Sequence, residues 1–144
     1  MSPHFRSLSL AALAATFLTA FPALADTVTF KTMLDAKSEV PATASKGMGE
    51  LDATFDTATK ALTWTGTYSD LTGPATAAHF HGPAAPGANA GVMVPADAKA
   101  SPFKGSAVLT DEQAKALMAG MMYFNVHTDA NKGGEIRGWL IPPK

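Results

Sequence analysis

"KALTWTGTYS", residues 60–69, alternates without a break. Leu62, Trp64, Gly66 and Tyr68 fall on one side, and Thr63, Thr65, Thr67 and Ser69 on the other. A period of two with one apolar face marks a half-buried β-strand. The same pattern runs upstream in "GELDATFD" (49–56), where Leu51, Ala53 and Phe55 share a face. The short "DTATK" (56–60) between these runs predicts an antiparallel hairpin. "TVTFKTML" (27–34), with Val28 and Phe30 on one side, adds a third strand.

Downstream, "ATAAHFHG" (75–82) is a further strand. "GPAAPGANAG" (82–91) holds two Pro and three Gly in ten residues and reads as a loop. "GVMVP" (91–95) is a short strand expected to end at Pro95, and "GSAVL" (105–109) is another. The period then changes. Thr110 with Gln113 forms a capping-box pattern, and Ala114, Leu117 and Met118 share a side, so one short helix is expected near 110–119. "MMYFNVHT" (121–128) and "GEIRGWLI" (134–141) are final strands joined by the turn-rich "DANKGG". The sum is an all-β domain: an antiparallel Greek-key sandwich or barrel of seven to eight strands.

Residues 1–25 do not read as part of that fold. His4 and Arg6 precede an apolar run from Leu8 to Phe21, and Pro22 and Ala23-Leu24-Ala25 follow it. This is the layout of a cleavable secretory signal peptide, with a domain over 26–144 and secretion or a periplasmic location as the expectation. The alternative is a retained anchor, but the run is short for a span of ~20 residues. Without Arg6 the remaining chain carries a net charge of −2 with no basic stripe, which argues against a nucleic-acid partner. There is no cysteine, so thiolate metal sites and thiol nucleophiles are excluded. No G-x-S-x-G, phosphate loop or carboxylate pair stands out, and no catalytic residue is assigned.

The histidines carry the chemistry. Beyond the leader there are three: His79, His81 and His127. On a strand, i and i+2 share a face, so His79 and His81 project together while Phe80 faces the core. In "YFNVH", Phe124 and Val126 are apolar, which puts Tyr123, Asn125 and His127 opposite. Three imidazoles from two strands form a nitrogen set suited to copper or zinc, leaving an open position. The test is distance: ring nitrogens within ~4 Å of one another can share an ion at bonds near 2 Å. Additional or outer-shell candidates are Met93, which follows the loop after His81, together with Asn125, Asp129, Glu135 and Arg137. Glu135 and Arg137 read first as a structural ion pair near the last hairpin. Met118, Met121 and Met122 read as core.

"AHFHGPA" (78–84), then "YFNVHT" (123–128) and "GGEIRGWL" (133–140), together with the early "SEVPAT" (38–43), resemble the CHRD domain found in chordin. The likeness covers essentially the whole chain after the leader. Phe80 stands where an aliphatic residue is common, and Trp139 where a polar one is common. The resemblance implies an extracellular or periplasmic β-rich domain, immunoglobulin-like or Cu,Zn superoxide dismutase-like. In chordin-like animal proteins such domains accompany growth-factor binding. The His-x-His pair with a distant histidine is also locally similar to the copper site of Cu,Zn superoxide dismutase, but the cysteines and zinc ligands of that enzyme are missing.

Three functions follow as expectations. The first is a secreted or periplasmic metal-binding protein, copper first and zinc second, suited to storage and delivery or to redox chemistry, with enzyme activity left open. The second is a metal-free protein-binding or adhesion module. The third is a copper-only dismutase-like oxidoreductase. Exposed edge strands and Trp139 leave a homodimer or other protein partner open.

Overall fold

The computed structural model describes residues 26–144; the expected leader lies outside them. Eight strands follow in order: β1 (Thr27–Asp35), β2 (Met48–Asp56), β3 (Ala61–Ser69), β4 (Ala75–His81), β5 (Val92–Ala96), β6 (Phe103–Val108), β7 (Met122–Thr128) and β8 (Ile136–Leu140). One helix, α1 (Asp111–Met118), lies between β6 and β7. All strand pairs are antiparallel, in the order β5-β4-β7-β8-β1-β2-β3-β6. The sheet curls into a nearly closed barrel, which decides between the two architectures expected. Its curl is visible in the core. Trp64 of β3 and Phe80 of β4 stand far apart in strand order, yet their rings meet edge to face at 4.9 Å.

The period of two explains which faces meet. Leu62 and Trp64 are buried, with Leu51, Ala53 and Phe55 beside them on β2, while Thr63, Thr65 and Thr67 are exposed. Phe80 and Phe124 pack at 4.9 Å, and Phe103 stacks on Phe124 at 5.6 Å. Apolar area removed from water at about 25 cal/mol per Å² drives this closure. The helix starts where its capping box places it. Thr110 accepts from the Gln113 backbone, and the Gln113 side chain accepts from Thr110.

Two readings change. β5 runs through Pro95 to Ala96 instead of ending at the proline. β5 is the terminal strand of the order, bonded only to β4, so a residue without an N–H is tolerated there. Of the methionines assigned to the core, only Met122 is fully buried; Met118 and Met121 are exposed. Met118 closes α1 beside the buried Leu117, and Met121 lies beyond the helix after the left-handed Gly120, so neither is carried onto the buried face.

β7 is buried along its whole length. One face lies on the barrel core, and the other is covered from outside by the β1–β2 and β4–β5 connections. This second, polar layer positions the histidines.

Candidate metal centre

β4 and β7 are neighbours, with His79 opposite Asn125, His81 opposite Tyr123 and Ala77 opposite His127. Cross-strand partners share a face. His79, His81, Tyr123, Asn125 and His127 therefore gather on the outer face of the sheet, as the alternation predicts. His81 and His127 are each 8 % exposed, and His79 is half-buried. The imidazole centroids lie 5.4 Å apart for His79 and His81, 4.9 Å for His79 and His127, and 6.1 Å for His81 and His127.

One nitrogen from each ring falls within 4.8 Å of the others. His79 Nδ1 and His127 Nε2 are 3.0 Å apart. Two nitrogens at ~2 Å from one ion are separated by at most ~4 Å, so the cluster as a whole is slightly open for sharing. An inward swing of one ring by roughly 1 Å closes it. His79 is the ring free to swing, because its only polar partner is His127.

Backbone carbonyls set the other two rings. His81 Nδ1 lies 3.0 Å from the Ala90 carbonyl, and His127 Nδ1 lies 2.9 Å from the Lys132 carbonyl. A carbonyl only accepts, so each Nδ1 carries the proton and each Nε2 presents a lone pair. His81 Nε2 is buried and has no hydrogen-bond partner. A buried lone pair without a donor is costly unless something fills the place, and carbonyl-oriented imidazole is the usual support of a metal-ligating histidine. Burial, followed by the neighbouring imidazoles, lowers the pKa of His79. Burial also lowers that of His81, against the opposing pull of the Ala90 carbonyl. Both rings are therefore neutral at pH 7, the form that coordinates.

The supporting layer differs from expectation. Glu135 and Arg137 form no ion pair. Arg137 is 1 % exposed and grips Glu39 instead, with Nη2 at 2.8 Å and Nε at 3.0 Å from the same carboxylate oxygen. It also donates to the Ala88 carbonyl at 3.2 Å and to Asn89 Oδ1 at 2.7 Å, tying the 82–91 loop down. Its guanidinium lies 3.9 Å from the Tyr123 ring centre, and Tyr123 stacks on His81 at 4.9 Å with planes 4° apart. Burial raises the Glu39 pKa, and Arg137 counters it.

Glu135 is fully buried in a separate cluster, accepting from Ser45, Thr72, Thr128 and Asn131. Burial alone would raise its pKa, but the hydroxyls of Ser45, Thr128 and Thr72 bring it to about 2. It hydrogen-bonds none of the histidines and serves instead as a clasp between connecting segments. Asp129 is exposed and outside the histidine cluster. Its place in the turn after β7 points it to solvent. Met93 packs on the core and lines an apolar hollow with Pro83, Ala116, Ala119 and Met121, a hollow none of the histidines line. The bulge in β5 opposite Phe80 and His81 turns it that way. Among the additional candidates, Asn125 stays beside the histidines, with Arg137 behind it as its cross-strand partner, reaching His81 through the Tyr123 ring.

Glu39, Asn89 and Tyr123 hold the site and were not assigned that task by the sequence. The signal for Glu39 was its place in "SEVPAT"; for Tyr123 it was the shared face with His127.

The family model for the CHRD domain matches residues 30–140. No curated protein and no solved structure matches the chain.

Proposed function

The chain belongs to the CHRD domain family, and from that premise we propose that it is an exported metal-binding protein. It holds one ion, copper first and zinc second, on His79, His81 and His127. The observation that carries the reading is the orphaned His81 Nε2, buried beside two further imidazoles with a nitrogen from each within 4.8 Å. Three neutral nitrogens with no thiolate or carboxylate among them suit copper(II) and zinc, and copper(II) stands highest in the divalent order. The leader-like residues 1–25 support export. Among the described residues, no helix is long and apolar enough to cross a membrane.

A second reading has an observation of its own. The contact between His79 Nδ1 and His127 Nε2 at 3.0 Å is a good hydrogen bond without any ion, as a metal-free binding module would have. It leaves His81 Nε2 unexplained. Loading the purified protein with copper(II) or zinc, desalting and measuring retained metal separates the two. We expect one ion per chain in the wild type and none when all three histidines are alanine. Near-zero metal in both sinks the metal reading.

A further inference from the structure

We propose that Asn125 is the positioning residue for a fourth, exchangeable ligand on the ion, accepting a hydrogen bond from that ligand's O–H through Oδ1. This deepens the metal reading and rests on it. Asn125 sits at the centre of the cluster's floor. It is the direct cross-strand partner of His79, lies two residues from His127 on the same face, and is diagonal to His81, whose partner is Tyr123. It is 1 % exposed, and its Oδ1 is buried with no hydrogen-bond partner.

The orientation of the amide is fixed by its other end. Nδ2 donates to the Gly133 carbonyl at 3.4 Å, and a flipped amide would set two carbonyl oxygens against each other. Gly134 allows this close fit. It has φ +125°, and a Cβ there would fall on Nδ2 of Asn125 and on the Glu39 carboxylate. Glu39, itself anchored by Arg137, thus closes off the back of the amide.

His81 Nε2 and Asn125 Oδ1 are both buried acceptors with no donor, and the two side chains face each other closely enough for Asn125 to favour the protonated form of His81. Filling His81 Nε2 with a cation solves one half. The other half needs a donor, and water bound at the ion's open position has O–H groups to give. Asn125 is then a selectivity device. It favours ligands bearing O–H, such as water or a peroxide, and disfavours aprotic anions, which place a lone pair against Oδ1. It also favours a divalent, four-coordinate ion over three-coordinate copper(I).

The test uses the copper(II)-loaded full chain and azide, an aprotic anion whose binding gives a charge-transfer band. Asn125→Leu removes the acceptor at similar volume. We expect it to bind azide about tenfold more tightly than wild type, with three-nitrogen hyperfine coupling retained. That corresponds to about 1.4 kcal/mol, within the cost of one unmatched buried acceptor. Asn125→Asp, which adds charge, should bind azide more weakly than wild type. Equal azide affinity in wild type and Asn125→Leu, each with three nitrogens on copper, overturns the proposal while leaving the metal site intact. A wild-type measurement guards against a variant that fails to fold: proton double resonance in H2O and D2O. Exchangeable protons at the distance of a copper-bound water are expected, and their absence overturns the proposal. A wild type that binds no copper instead defeats the reading beneath it.

Discussion

At the scale of single residues, protonation sets when the site can work. Burial holds the pKa of His79 and His81 below the ordinary value of 6.5. The unfolded chain therefore takes up protons before the folded one as pH falls. The stability these neutral rings contribute is complete above pH 6.5 and is lost as pH drops through their lower folded values. The proposed metal affinity should fall in the same direction, since a protonated imidazole cannot coordinate. The midpoint of urea unfolding, measured without metal, should fall between pH 7 and 5. Replacing both residues by glutamine should flatten that slope, and an unchanged slope would mean the rings are not held neutral. Arg137 is the other decisive residue. Arg137→Met leaves the Glu39 carboxylate buried without its cation, at a cost of about 3–5 kcal/mol. Pairing it with Glu39→Gln should restore much of the loss in the same urea assay. A double variant as unstable as the single would show that the charge pair is not what matters.

At the scale of elements, β7 is the one that does two jobs. Met122, Phe124 and Val126 face the barrel, while Tyr123, Asn125 and His127 face the covering loops. Alternation made that division legible, as it did the placing of His79 and His81. What alternation cannot convey is which distant loop covers the polar face. Glu39 meets Arg137 across 98 positions of sequence, and Ser45 meets Glu135 across 90. Each pairing depends on β8 lying beside β1 in the sheet, strands at opposite ends of the sequence, so Arg137 and Glu135 find partners in the β1–β2 connection and not in each other. The Glu135 clasp joins the β1–β2 connection, the β3–β4 connection and the β7–β8 turn. Its folded pKa of about 2 against an ordinary 4.5 contributes about 3 kcal/mol at neutral pH. The pKa is depressed, so this contribution is present above pH 4.5 and is lost as pH falls toward 2. Glu135→Gln should lower the melting temperature at pH 7 and remove the acid-dependent part of unfolding in that window. An unaltered acid profile would contradict the clasp.

At the scale of the whole molecule, a barrel core made of alternate strand residues carries a polar site on its outer wall. Phe80 links the two, since it fills the core between Trp64 and Phe124 while its neighbours carry imidazoles outward. Phe80→Ala should cost about 3–5 kcal/mol in chemical denaturation. Ion binding to the folded state alone should add about 2.7 kcal/mol at a hundredfold excess over Kd, seen as a raised melting temperature that the triple-alanine variant lacks. The all-β class and the strand count were readable because period two persists in nearly every strand. Closure into a barrel was not, because it is decided by contacts such as Trp64 with Phe80 between strands distant in order. The most direct test of the account is anomalous diffraction at the copper edge on crystals of the loaded protein. The account predicts one peak within about 2 Å of His79 Nδ1, His81 Nε2 and His127 Nε2, with the His79 ring drawn inward. A peak held elsewhere, or no peak at the three imidazoles, would contradict it.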